Sequence, residues 1–223
     1  MPADMQKKTI VFDLDDTLVK EVDYLRSAFA AIAKHSDAAN ESLFDEMFAW
    51  YQDKQDVFAN LILRFGHLEK DVLKALYRHH VPAFDPLSDN RQMLLDLKKA
   101  GHQLGLVTDG FSVTQRNKIQ ALDIESIFDL IVISEEFGSE KPNEANFAVF
   151  HQFESKECFY ISDNVNKDFI TPKRLGWKTV CLLDDGRNIH AQDFTKPEEY
   201  LPDYRISNLR ELSDLLKESE PEK

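Results

Sequence analysis

The apolar positions of this chain repeat with two different periods, and the change between them divides it. A short β-branched run from Thr9 to Phe12 ends in a cluster of aspartates, which predicts a buried strand whose C-terminal end carries polar groups. Over residues 19–85 the spacing becomes helical. Tyr24, Leu25, Phe29 and Ile32 form one face, followed by Leu43, Phe44, Met47 and Phe48, then Val57, Leu61 and Ile62, then Val72, Leu73, Leu76 and Tyr77. Asn40 and Gly66 punctuate this stretch, and Pro82 and Pro86 close it with an extended segment. An all-helical insertion at residues 19–85 is therefore expected between two parts of one core, residues 1–18 and 86–223.

Beyond Pro86 helical and strand patterns alternate. A helix over residues 87–100 stops at Gly101 and feeds the strand QLGLVTD, and a helix over 115–122 feeds FDLIVIS. A helix over 143–153 then feeds ECFYISD, and one over 167–175 stops at Gly176 and feeds KTVCLL. Residues 205–217 read as a short strand and a terminal helix, the tail ESEPEK as a frayed end, and no internal repeat occurs. Such alternation predicts an α/β fold with a parallel sheet and right-handed crossovers.

Charge narrows the partners. The 223 residues are 43% hydrophobic and 30% charged, enough to bury a full core, and carry a formal net charge of -13. That charge repels a nucleic-acid backbone and an anionic membrane, so neither is expected as a partner. A site for an anionic substrate must then be made attractive locally by a metal, a Lys or backbone N–H groups. The two cysteines, Cys158 and Cys181, sit in apolar strand-like runs and read as core thiols rather than a disulfide. The segment MPADMQKKTIVFD is too short in apolar residues for a signal peptide, and no run approaches the roughly 18 residues of a membrane span. A cytoplasmic location is expected.

Chemistry gathers at the predicted strand ends. In DLDDTL, strand alternation places Asp13, Asp15 and Thr17 on one face and points Asp16 elsewhere. Two carboxylates sharing a pocket repel, and a hard divalent cation such as magnesium relieves the repulsion by taking oxygen ligands; an acidic strand-to-loop turn is the other reading. Parallel sheets bind ligands at the carboxyl ends of their strands, so distant residues converge there. Thr108, Asp109 and Gly110 end one strand with a hydroxyl and backbone N–H groups at a helix start, suited to a phosphate oxygen or simply to an N-cap. Lys141, before Pro142, is a point charge able to neutralise a phosphate and a nucleophile beside it. Asp163 ends another strand, with Asn164 next to it and Asp168 five residues on; these read as metal-binding or as helix-capping groups.

The order Asp-x-Asp, Thr, Lys, then Asp with a second Asp five positions later, spread over nearly the whole chain, resembles the haloacid dehalogenase superfamily. The resemblance implies a Rossmann-like, doubly wound core with strand order 5-4-1-2-3 and makes the insertion a helical cap. It implies that Asp13 is a nucleophile forming an aspartyl-phosphate and that Asp15 is the general acid and base. Thr108, Asp109 and Lys141 would hold the phosphoryl group. Magnesium would be bound by the Asp13 and Asp163 carboxylates and the Asp15 backbone carbonyl, with Asp168 and Asn164 holding a water ligand or serving as alternate ligands. Dehalogenases of this type place Tyr two positions after the nucleophile, whereas Asp15 suits phosphate esters. The fourth motif usually reads Gly-Asp but here reads Ser162-Asp163, which puts the local backbone path in doubt.

The stretch from TDGF through SEKP is similar to phosphatases of nucleoside monophosphates or sugar phosphates. The expected partner is a small phosphorylated metabolite, the expected assembly a monomer or homodimer. Lys20, Tyr24, Arg26, Trp50 and Arg64 are cap candidates for recognising the leaving group, and His79 and His80 read as surface residues. A phosphomutase on the same core and a non-catalytic phosphate-binding module are the alternatives. A phospho-receiver domain fits less well, because its acceptor Asp lies on a middle strand and it lacks a helical insertion.

Overall fold

The computed structural model describes residues 7–85 and 89–218. Pro86, the first residues of the helix expected from residue 87, and the tail beyond 218 lie outside them.

Six parallel strands form one sheet: β1 (Thr9–Phe12), β2 (Gln103–Thr108), β3 (Leu130–Ile133), β4 (Cys158–Ser162), β5 (Lys178–Leu182) and β6 (Tyr204–Ile206). Their order is β3-β2-β1-β4-β5-β6, the expected 5-4-1-2-3 arrangement with a sixth strand added outside β5. Val11 lies opposite Gly105 on one side and Tyr160 on the other, so β1 is central and buried on both faces. Its apolar residues divide by alternation. Ile10 and Phe12 join Leu104, Leu106, Phe159 and Ile161 under one helical layer, while Val11 joins Val107, Phe147, Phe150, Tyr160 and Trp177 under the other. Gly105 is required by that second layer, because a Cβ there would lie 2.2 Å from the buried Phe150 ring.

Between β1 and β2 the chain forms α1 (Glu21–Ser36), α2 (Leu43–Gln52), α3 (Val57–Phe65) and α4 (Lys70–Arg78), then α5 (Asp89–Lys99). The first four bury an apolar cluster of their own around Leu25, Ile32, Leu43, Met47, Leu61 and Leu73. The Asp56 carboxylate caps the start of α3 by accepting the Ala59 N–H, and Gly66 closes it in the left-handed conformation at φ 63°. Val72 departs from the expected apolar face and is exposed.

Elsewhere the helices depart from expectation in both directions. After α6 (Ser112–Ala121), the strand β3 stops at Ile133 and Ser134 opens a one-turn helix, α7 (Ser134–Phe137), where a loop was expected. The helix expected over 143–153 splits into α8 (Ala145–Ala148) and a 3-10 segment, Val149–Phe153. That over 167–175 shrinks to α9 (Ile170–Arg174), and the chain ends in α10 (Leu212–Glu218) behind a capping box of Asn208 and Glu211. Cys158 and Cys181 are free thiols, as expected. Among the described residues no helix is long and apolar enough to cross a membrane.

Candidate active site

The site grows from the end of β1. The Asp13 N–H still bonds the Ile161 carbonyl at 2.9 Å, continuing the ladder one residue beyond the strand. There the chain turns: the N–H groups of Leu18 and Val19 both return to the Leu14 carbonyl, and Asp16 adopts φ 55°. Strand alternation therefore ends at Asp13, which corrects two expectations. Thr17 does not share the face of Asp13 and Asp15; its hydroxyl is buried without a partner and lines a separate cavity with Lys20, Asn90 and Asn208. Asp16, expected to point away from Asp13 and Asp15, lines one cavity with them and brackets the start of α1, its carboxylate accepting the N–H groups of Glu21 at 3.0 Å and Ile189 at 2.9 Å.

Asp13, Asp15, Thr108, Asp109, Lys141, Asp163 and Asn164 all line one cavity of about 190 Å³ at the carboxyl ends of β1, β2 and β4. The Lys141 ammonium stands 2.8 Å from Asp13 and 2.7 Å from Asp168, and donates to the Tyr160 hydroxyl at 3.1 Å. Asp168 is fully buried behind it and also accepts from Tyr160 at 3.0 Å and Ser162 at 2.6 Å. Ser162 is a working part of this cluster: its hydroxyl bonds Asp168 and reaches 3.4 Å to Asp13, and the strand runs through it without a break. Neither contact would exist with Gly in that position.

The second carboxylate, Asp15, is held by α6. Lys118 donates to its two oxygens at 2.6 and 2.8 Å, and Gln115 donates to one at 2.9 Å while also reaching the Thr108 hydroxyl at 2.5 Å. Lys118 is buried beneath the Tyr24 ring of the helical insertion, 4.7 Å from its centroid. Polar groups expected to face a phosphate are partly committed elsewhere. The Asp109 carboxylate accepts the Lys141 N–H at 3.0 Å and pairs with Lys167 at 2.5 Å, so it shapes the loop that carries Lys141. The Gly110 N–H, expected to be free, donates to Ser134, and the Ser112 N–H donates to Glu135.

Electrostatics follow from burial. Burial pushes the Asp13 carboxyl up to about 7, against the pull of Lys141. Burial and the charge of Asp13 push Asp163 up to about 8. Burial alone would lower Lys141, yet Asp13 and Asp168 hold it well above its ordinary value, so the ammonium stays charged. Glu21, on the first turn of α1 and also lining the cavity, is raised to about 7 by burial and by Asp15.

Among the described residues no three His, Cys, Asp or Glu side chains stand close enough to hold an ion among themselves. The residues nonetheless fit magnesium, which keeps several waters and takes only one or two carboxylates. Asp13 and Asp163 are two buried carboxylates raised by burial and by neighbouring carboxylates, Asp13 even with Lys141 beside it, so an added cation would relieve both. Asp168 keeps a buried Oδ1 with no hydrogen-bond partner. Asn164 has turned its own carbonyl to the Asn166 N–H, which leaves its side chain committed to the turn.

The cap candidates divide. Lys20 pairs with Asp185 and Asn188 next to the site, whereas the Tyr24 hydroxyl bonds the Tyr77 carbonyl. Arg26 lies over Phe44 and Phe48, Trp50 packs into the insertion's apolar cluster, and Arg64 pairs with Glu46. His80 is half-buried against Ser27 and Tyr24 rather than a surface residue. Sequence reasoning missed Gln115, Lys118, Glu21 and His190, all near or lining the cavity. Gln115 and Lys118 had a signal: with Ile119 and Leu122 they occupy one helical face, polar residues on a stripe that faces the core.

Fold and site together define a doubly wound α/β protein with a carboxylate and lysine centre at the carboxyl ends of its strands. The chain belongs to the haloacid dehalogenase-like hydrolases: the model of that family matches residues 10–182. It is 32% identical to the glyceraldehyde 3-phosphate phosphatase of Methanocaldococcus jannaschii, over 94% of this chain and 97% of that one. It is 29% identical to the pyrimidine 5'-nucleotidase YjjG of Escherichia coli, over 55% of this chain and 53% of that one. In fold it is similar to the magnesium-bound HAD-hydrolase YfnB of Bacillus subtilis, with a TM-score of 0.63 and 22% identity over 95% of this chain and 99% of that one. The chain is thus a hydrolase whose relatives over nearly its full length include phosphatases.

Proposed function

We propose that the protein is a magnesium-dependent phosphatase of small phosphomonoesters, working through an aspartyl-phosphate on Asp13. The observation that carries this reading is the Lys141 ammonium held 2.8 Å from the Asp13 carboxylate in a cavity also lined by Asp15, Thr108 and Asp163. Asp13 Oδ attacks phosphorus, and the bond to the ester oxygen breaks as Asp15 gives that oxygen a proton. Asp15 then takes a proton from water, the water oxygen attacks phosphorus, and Asp13 departs as a carboxylate with release of inorganic phosphate. Lys141 and the Thr108 hydroxyl hold the phosphoryl oxygens, while Lys118 and Gln115 hold Asp15 at its station. Asp13, Asp163 and the Asp15 carbonyl would hold magnesium, which would supply neutralisation of the charge on the transferring group. Asp168 fixes Lys141, and residues 19–85 act as a cap over the core formed by residues 1–18 and 86–223, excluding water from the reaction.

Two observations favour a leaving group of three or four carbons over a nucleoside. The cavity of about 190 Å³ is smaller than the roughly 300 Å³ at which ordinary ligand pockets begin. Relatives matched over nearly the whole chain include phosphatases of glyceraldehyde 3-phosphate, at 30–32% identity, alongside a pyrophosphatase at 23%. The acidic surface argues against nucleic acid and membranes as partners, the two free thiols favour the cytoplasm, and a monomer or homodimer suffices for this chemistry.

The test is phosphate release from triose phosphates, hexose phosphates, nucleoside monophosphates and pyrophosphate, with Mg²⁺ and with a chelator. Mg²⁺-dependent release favouring triose phosphates is expected. Failure to release phosphate from any ester, or an isomerised ester with no free phosphate, overturns the reading.

A further inference from the structure

We propose that Asn188, on the loop after β5, is a positioning residue for the metal-binding Asp163, and that Lys20 at the entrance to α1 holds Asn188 in that role. The inference rests on the magnesium-dependent reading above. β5 ends at Leu182, and the chain that follows has no regular structure yet is folded tightly on itself. Asp184 Oδ1 accepts the N–H groups of Gly186, Arg187 and Asn188 at 2.8, 3.0 and 3.0 Å. Farther along, the Gln192 amide donates to the carbonyls of Asp163 and Leu182, both at 2.8 Å. These bonds fix where residue 188 sits whatever its side chain.

Asn188 then makes two bonds of opposite sense. Its Nδ2 donates to Asp163 Oδ2 at 3.0 Å, and its Oδ1 accepts from the Lys20 ammonium at 2.6 Å. The amide can sit only this way round, because an ammonium has no acceptor and a carboxylate no donor. Lys20 also pairs with Asp185 at 3.0 Å. Two more links join the same loop to the chain entering the helical insertion: Ile189 N–H to Asp16 at 2.9 Å, and Arg187 to Asp23 at 2.5 Å. The bond from Asn188 occupies Oδ2 of Asp163, fixes the plane of the carboxylate and leaves Oδ1 for an ion. Groups that orient a metal ligand in this way change metal affinity about 10- to 100-fold when removed.

Mg²⁺ binding to the full chain, followed by isothermal titration calorimetry and by the Mg²⁺-induced rise in melting temperature, tests this without reference to turnover. Asn188→Ala is expected to weaken Mg²⁺ binding by about 10-fold or more while leaving the metal-free melting temperature nearly unchanged, since Asp184 and Gln192 still anchor the loop. Lys20→Met is expected to weaken binding in the same direction by about threefold, and the double variant to bind no more weakly than Asn188→Ala within about twofold, because Lys20 acts through Asn188. Mg²⁺ affinity in Asn188→Ala within about twofold of the parent overturns the inference, as does a fall in metal-free stability with affinity unchanged. Should Asn188→Ala fail to fold, unaltered affinity in Lys20→Met overturns it instead. A parent chain that takes up no Mg²⁺ overturns the functional reading and this inference together, whereas normal uptake by parent and variants alike overturns this inference only.

Discussion

Replacing Lys141 with Met tests the electrostatic logic of the site through stability, independently of any substrate. The ammonium is buried, with its side chain 3% exposed, between Asp13 at 2.8 Å and Asp168 at 2.7 Å. Met fills a similar volume, so the loss is one of charge rather than packing. Removing one partner from a buried ion pair costs about 3–5 kcal/mol, because it strands an uncompensated charge; here it strands two. For a chain of 150–250 residues each kcal/mol moves the melting temperature by roughly 2–4 °C, so a fall of roughly 6–20 °C is expected. The deficit has a definite pH dependence. Asp13 already stands at about 7 against an ordinary value of 3.8, and loss of Lys141 moves it further up, so the folded chain holds a proton that the unfolded chain releases. Relative to the parent the Asp13 part of the deficit accrues above about pH 7, where the parent's Asp13 ionises beside Lys141 and the variant's cannot, so the deficit is greater at pH 8 than at pH 5. Adding Asp168→Asn removes one stranded charge and should restore about 1–2 kcal/mol, a coupling that independent sites would not show. Urea unfolding of the metal-free chain at the two pH values, with the m-value checked for constancy, measures all of this. A loss below about 1 kcal/mol at pH 8, or a loss greater at pH 5 than at pH 8, refutes the picture of a charged lysine holding two buried carboxylates together.

Other substitutions probe separate links. Asp13→Asn should abolish phosphate release, because an amide cannot attack phosphorus, while circular dichroism shows an intact fold; substantial residual turnover would contradict the assigned nucleophile. Glu21→Gln should stabilise the metal-free chain by about 1–3 kcal/mol at pH 8 and by almost nothing at pH 4.5. The sign follows from Glu21 standing at about 7 against an ordinary 4.5, so its cost to folding accrues between those values; equal effects in denaturant titrations at both pH values would refute it. Gly105→Ala should cost about 1–3 kcal/mol, because the new Cβ would lie 2.2 Å from the Phe150 ring, and Phe150→Leu in the same chain should recover much of that in thermal melts. Leu61→Ala, deep in the insertion's own cluster, should cost about 2–5 kcal/mol, read by hydrogen exchange in α1–α4 before the β-sheet.

Local patterning alone was enough to read the architecture and to name residues that line one cavity. Period 2 and period 3.6 are local properties of the backbone, so strand β1, the helical stretch beyond it and the alternation after it could be read from where Val11, Leu25 or Leu106 falls. Strand ends are where a parallel sheet gathers its ligands, so Asp13, Thr108, Lys141 and Asp163 could be named before any coordinate placed them around one cavity. Who holds whom is set by packing. The turn at Asp16 breaks the alternation that would have brought Thr17 to the site, and no periodicity encodes a single left-handed residue. The Ser162 hydroxyl joins Asp13 and Asp168 only because β1 and β4 are neighbours. Lys118 reaches Asp15 over 103 positions of chain, and Asn188 reaches Asp163 from another strand's loop. Such bonds depend on distances that the fold creates between remote segments. Local patterns set which residues face inward, and only packing sets which of them meet.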